Sequence, residues 1–411
     1  MAIIKPFRAI RPNKELVHKV AALPYDVYNR AEAREAALKE PVSFLNIDRP
    51  ETQFPEDYDM YATEVYEKAA SMLKEQRAQG IYVQEEEPCF YLYELTMDGR
   101  SQTGLVACAS IDDYLNQVIK KHENTREEKE QDRIRHVDTC STQTGPIFLA
   151  YRREEAVEKI VAAEKTKTPV YDFISEDGIG HRVWIVSEKD AVAGIAEAFA
   201  GINQIYIADG HHRAASAVKV GVKRRNEAGK YTGEEEFNYF LSVLFPENEL
   251  KILPYYRVVK DLNGYTVEDF IKKISENFTV EASEVPVGPE QKGEFGMFLA
   301  EKWYRLTAKA DLMQSTDPVR ALDVSILQDN LLEPVLGIAD PRTDKRIDFV
   351  GGIRGLSELE RRTRTDMTVA FSTCPTSILE LFAVSDAGLL MPPKSTWFEP
   401  KLRSGIFLHE L

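Results

Sequence analysis

Residues 205–218 read IYIADGHHRAASAV: an apolar run, then Asp209, Gly210, His211, His212 and Arg213, then an alanine-rich stretch. The apolar run predicts a strand and the alanine-rich stretch a helix, so the five special residues stand at one strand-to-helix junction. A helix opens with backbone N–H groups that lack intrahelical acceptors and with a partial positive charge, which suits an oxyanion such as phosphate. Gly210 permits a tight turn and a close approach of the anion. Arg213 can fork two bonds onto phosphate oxygens, and His211 and His212 add donors. Asp209 has three readings: helix cap, ligand of a Mg2+ that bridges phosphates, or orienter of a histidine. The competing account of the junction is a plain capped helix with surface histidines. Zinc is disfavoured, because adjacent helical histidines diverge and no H-E-x-x-H or cysteine set accompanies them.

Three other stretches hold chemistry-bearing residues. KKHENTREEKEQDR (120–133) contains Thr125 and Glu128 at capping-box spacing, which predicts a helix starting just after Thr125. His122 and Glu123 then fall on an exposed loop ahead of it, and a solvated charged helix start is the alternative. Lys129 and Arg133 share a face of that helix at i, i+4. LPYDVYN (23–29) offers Asp26 either as the cap of the following RAEAREAALK helix or as an acid that meets a substrate ammonium or a metal. MPPKSTWFEPK (391–401) combines Lys394, Ser395, Thr396 and Lys401 in a proline-bounded loop suited to phosphate or carboxylate. A tail packed by Trp397 and Phe398 competes with that view.

DGHHR between strand and helix resembles the phosphate motif of the ParB/sulfiredoxin-type fold, in the form carried by free L-serine kinases. The wider chain resembles the domain of unknown function 1015 family through LPYDVYN, KHENT (121–125), GPIFLAY (145–151), DGHHR, ILPYYRVV (252–259) and MPPKSTWFEPK in that order. The resemblance implies a ParB/sulfiredoxin-like α/β catalytic core with an additional α/β lobe. It further implies a kinase that makes O-phospho-L-serine from free L-serine. The implied roles are Glu123 as base, Asp209 to Arg213 as phosphate site with His211 and Arg213 catalytic, and Asp209 as Mg2+ ligand. Asp26, His122, Thr125, Lys394, Ser395 and Thr396 are then expected at the substrate. No G-x-x-x-x-G-K-[ST] or G-x-G-x-x-G occurs, so the donor stays open among ATP, ADP and pyrophosphate. Threonine or homoserine as acceptor would need similar groups. Two rivals are a nucleotide hydrolase on the same fold and a non-catalytic ParB-like module that binds phosphate or nucleic acid.

The elements that must position these residues alternate along the chain. A helix is expected over 58–79, with Tyr61, Val65, Ala69, Met72 and Leu73 on one face and Gly80 as its stop. PCFYLYEL and QTGLVACASI flank a hairpin turn at Met97–Arg100. FNYFLSVLF and LKILPYYRVV read as strands paired across PENE. The overall pattern is α/β with mixed sheets. At 411 residues two regions are expected, 1–250 with the junction and 251–411, an α/β region whose C-terminal KSTWFEPK stretch is a candidate to return to the site. Hydrophobic residues at 43% and charged residues at 29% are enough to build cores. The net charge of −15 speaks against general nucleic-acid binding. No apolar run approaches membrane-spanning length and no signal peptide is evident, so a cytoplasmic protein is expected. Four scattered cysteines without a C-x-x-C pair fit reduced thiols. Nothing in the sequence sets an oligomeric state.

Overall fold

A computed structural model describes all residues, 1–411, and divides them into two compact units. The first comprises Met1–Leu250 with Pro400–Leu411, and the second Lys251–Glu399. The C-terminal segment thus leaves the region 251–411 expected from sequence. Ile406, Phe407 and Leu408 are fully buried, and His409–Glu410 pairs with Thr142–Gln143.

The first unit is built on a nine-stranded mixed sheet. Its strands are β1 (Ile4–Lys5), β2 (Phe90–Met97), β3 (Arg100–Ser110), β4 (Ile119–Lys120), β5 (Ile147–Tyr151), β6 (Tyr171–Ile174), β7 (Gly180–Val186), β8 (Ile205–Asp209) and β9 (Tyr239–Pro246). Their order is β4-β8-β5-β9-β3-β2-β7-β6, with β1 on β3. The pairs β8–β4 and β9–β5 are parallel and the others antiparallel. The helices used below are α1 (Arg30–Lys39), α2 (Thr63–Ala78), α3 (Glu127–Cys140), α4 (Glu155–Glu164), α5 (Lys189–Ala200) and α6 (His211–Ala228). Every residue of β9 is buried, as a central strand covered on both faces requires. The β2–β3 hairpin forms as expected, with Asp98 and Gly99 at positive φ in the turn.

Local corrections to the sequence reading have tertiary causes. Helix α2 starts at Thr63 rather than 58; it buries Val65, Ala69 and Leu73, while Tyr61 lies ahead of it and exposed. Asn29, in a capping box with Glu32, caps α1, so Asp26 does not. The strands expected to pair across PENE part company. β9 pairs with β3 and β5 in the first unit, and Tyr255–Val259 belongs to the second.

The second unit is an antiparallel six-stranded sheet of β10 (Tyr255–Val259), β11 (Phe278–Ser283), β12 (Glu294–Leu299), β13 (Lys302–Ala308), β14 (Ile347–Gly351) and β15 (Val369–Thr373). The order is β11-β13-β12-β15-β10-β14. Two apolar clusters flank it, one around Phe295, Leu306 and Phe371 and the other around Val258, Phe298 and Leu359. Among all 411 residues no helix is long and apolar enough to cross a membrane.

Candidate functional site

Strand β8 ends in a register shift opposite β5: Ile207 faces Leu149 and Asp209 faces Phe148, leaving Ala208 as the extra residue. Such a bulge re-aims the side chain that follows it. Gly210 then takes φ 91° and ψ 33° as the N-cap of α6, and no side chain caps the helix. The first-turn amides of His211, His212 and Arg213 therefore have no acceptor within the helix. The Asp209 carboxylate turns back instead, accepting the Gly210 N–H at 3.0 Å on Oδ1.

Cations converge on this turn. Lys401 Nζ donates to Asp209 Oδ2 at 3.2 Å, and Arg213 Nη2 lies 3.9 Å from the same oxygen. Burial works to raise the Asp209 carboxyl, but Lys401 and then Arg213 more than reverse it, holding the group far below the ordinary carboxylate range. Arg213 Nη1 donates to the Pro146 carbonyl at 2.7 Å. The guanidinium lies so close over Gly210 that a Cβ there would stand 3.1 Å from Nε. At Gly145 a Cβ would stand 3.5 Å from Arg213 Cδ, an ordinary contact, so the guanidinium needs the missing side chain only at Gly210.

The histidines divide their labour in a way the sequence does not show. His211 turns inward: it is 6% exposed, its Nε2 has no hydrogen-bond partner, and its ring meets His122 edge-on at 4.5 Å. His122, expected to be exposed, is 2% exposed, because it packs on His211 and bonds the Ile207 carbonyl. Burial pushes His122 down to about 4 against the pull of Asp209. Burial, and then His122, drives His211 well below the usual imidazole value. Both rings are neutral at pH 7. His212 accepts the Arg126 N–H on Nε2 at 3.0 Å.

These contacts pin the loop 121–126 at both ends, His122 at one and Arg126 at the other. Glu123 sits between the anchors, on an exposed part of the loop. The capping box expected at Thr125 does not form. With Arg126 N–H held by His212, α3 starts at Glu127 with Arg126 as an N-cap that makes no side-chain bond, and Thr125 Oγ1 donates to the Glu130 carboxylate.

Beside the junction lies a cavity of about 30 Å³ lined by Arg213, Gly145, Thr144, Asp48, Tyr25 and Arg133, among others. Tyr25 and Arg133 also line a groove of about 180 Å³, with Asp26, Tyr61, Tyr66 and Lys129. Asp26 and Lys129 are exposed. Arg133 is held by Asp132 at 2.9 Å, by the Asp48 carbonyl at 3.4 Å and over the Tyr25 ring at 4.2 Å. Tyr66 donates to Asp132 at 2.9 Å. Arg49 donates to the Tyr25 and Tyr28 carbonyls at 2.8 and 2.9 Å, which fixes the turn bearing Asp26.

The structure thus gathers Asp209, Gly210, Arg213 and Lys401 at one turn, with His122 and His211 behind it. Asp26, Lys129 and Arg133 line the adjoining groove. Lys394, Ser395 and Thr396 belong to the second unit, where Lys394 is exposed, Ser395 buried and Thr396 half-buried. Lys401 is read from MPPKSTWFEPK as an anion-binding candidate, but its pairing with Asp209, 192 residues away, is not; Tyr25 and Pro146 escape motif reading as site partners.

The model of the family described as "Protein of unknown function (DUF1015)" matches residues 4–325. The chain belongs to this family. No curated protein matches it. Among solved structures, this DUF1015 chain is similar to a free serine kinase variant in complex with ADP at 14% identity, covering 74% of this chain and 92% of that one with a TM-score of 0.33. A conserved hypothetical protein from Pyrococcus furiosus gives 17% identity, 74% and 94% coverage and a TM-score of 0.33. C-terminally truncated SbnI from Staphylococcus aureus gives 10% identity, 72% and 82% coverage and a TM-score of 0.36.

Proposed function

We propose that the protein is a small-molecule kinase that transfers a phosphoryl group to the hydroxyl of free L-serine, on a ParB/sulfiredoxin-like core. The observation that carries this reading is the uncapped start of α6 at Gly210, on which Arg213 and Lys401 converge. The transferring phosphoryl group lies against the amides of His211, His212 and Arg213, with Arg213 as its clamp. Serine occupies the groove, where Asp26 addresses its ammonium and Lys129 its carboxylate. Glu123 takes the hydroxyl proton as the oxygen bonds to phosphorus, and the remainder of the donor leaves with the bond electrons.

Magnesium fits this arrangement only as an ion that arrives with the donor. The Asp209 carboxylate is already engaged by the Gly210 N–H and Lys401, and no group of three or more His, Cys, Asp or Glu is placed to hold a metal. Bound there, the ion would neutralise phosphate charge beside Asp209. His211 and His122 stay behind the turn as neutral packing, so the backbone amide of His211, not its imidazole, serves the anion.

The test is direct: purified protein, serine and magnesium are incubated with ATP, ADP or pyrophosphate, and products are read by mass spectrometry. Phosphoserine from one donor is expected; none from any donor sinks the reading. Phosphate release that does not require serine would point to a hydrolase instead.

A further inference from the structure

We propose that the second unit carries an oxyanion site of its own, built on Arg257 and Lys394, that takes a small carboxylate or phosphate. Arg257 sits in the middle of β10, paired with β14 on one side and β15 on the other, and is 3% exposed. Its surroundings are aromatic: Phe349 and Phe371 face it in register, and the guanidinium carbon lies 5.4 Å from the Phe349 ring centre. The partner of the guanidinium is the Tyr255 carbonyl, and no carboxylate pairs with it. Burial pushes its pKa down to about 10, opposed by Tyr255 alone, so it stays charged at neutral pH. A buried charge of this kind is costly unless an anion is supplied.

Lys394 provides the second cation. Its backbone has φ 56°, a left-handed conformation that a side chain with a Cβ adopts at a cost. The loop holds it there: Ser395 Oγ donates to the Pro392 carbonyl at 2.6 Å, and Thr376 Oγ1 donates to the Ser395 carbonyl at 3.1 Å. Trp397 meets the Tyr255 ring edge-on at 5.0 Å. The strained lysine is thereby fixed with Nζ 5.4 Å from the Tyr255 ring centre. Both cations converge on one residue, Arg257 on its carbonyl and Lys394 on its ring. The nearest acid along the loop, Glu399, is engaged by Trp397 Nε1 at 2.7 Å. A guanidinium and an ammonium held on the same tyrosine, with Phe349 against the one and Trp397 against the tyrosine ring, match a planar carboxylate or a phosphate face.

Hydrogen-exchange mass spectrometry of the full chain, with inorganic phosphate or with acetate as separate probes, tests this. Slower exchange is expected in peptides covering 392–398 and 255–259 with at least one probe, and which probe acts tells phosphate from carboxylate. Lys394→Ala, at an exposed position, is expected to weaken that protection about tenfold in probe concentration. Arg257→Met should abolish it. No protection of those peptides with either probe, or equal protection in Lys394→Ala, overturns the site. Protection at 209–214 reports the junction separately, so either site can fail alone.

Discussion

Arg213 is the residue on which the proposed chemistry turns, because one arm of its fork is spent on the Pro146 carbonyl and the rest lies over Gly210. Arg213→Ala removes one structural hydrogen bond, worth about 1 kcal/mol, and the guanidinium that lies over Gly210. We expect kcat/KM for serine phosphorylation to fall about 10²–10³-fold while the melting temperature moves little. Arg213→Lys should recover only part of the rate, since a lysine cannot reproduce the planar fork. His122 gives a pH signature. Its native value of about 4 lies below the 6.5 of an unperturbed imidazole, so the unfolded chain binds a proton that the native one refuses. The stability it leaves intact is complete above pH 6.5 and is lost as pH falls toward 4, at about 1.4 kcal/mol per pH unit. Urea denaturation of His122→Gln should show a shallower loss over that window; an unchanged slope would contradict the buried, neutral assignment.

At the scale of elements, the junction works because a strand, a helix and a loop are stitched together. The bulge at Ala208 re-aims Asp209, Gly210 starts α6, and His212 holds Arg126 so that the loop 121–126 is fixed over the helix start. His212 thus acts on the proposed base by position, and its replacement separates positioning from folding. In His212→Ala, faster amide exchange confined to 121–126 is expected, with kcat reduced about tenfold or more and KM for the donor little changed. Equal losses in kcat and donor affinity would instead make His212 a direct phosphate contact. The strand-turn-helix pattern itself was legible in IYIADGHHRAASAV, because apolar periodicity and glycine chemistry are local. The start of α3 was legible to within a residue, but its cap was not: Thr125 and Glu128 have capping-box spacing, yet Thr125 bonds Glu130 and the Arg126 N–H donates to His212, 86 residues away.

Over the whole molecule, the C-terminal segment returns to the first unit and delivers Lys401 to Asp209. Lys401→Met removes the larger of the two cationic effects that hold the Asp209 carboxyl down. The carboxyl value should rise toward the ordinary range. Asp209 then contributes less of the stability that exists above pH 3.8 and is lost below it, so the variant is weaker at pH 7 and declines less steeply in acid. The acid limb of the pH–rate profile should move to higher pH; a profile that keeps its position would show that Lys401 does not set the charge state of Asp209.

The sequence by itself determined the mixed α/β character, the β2–β3 hairpin, the strand-to-helix turn at Gly210 and membership of the family through an ordered set of short motifs. The elements and the turn rest on residues near one another, where periodicity, turn propensity and glycine conformation act directly. Family membership rests on short motifs that are each local, although their order runs from residue 23 to 401. Tertiary structure alone decided that β9 and β10 separate into different units, that His122 and His211 are buried, and that Lys401 faces Asp209. Those outcomes depend on burial and on charges brought together across long stretches of chain, and neither is encoded in local spacing.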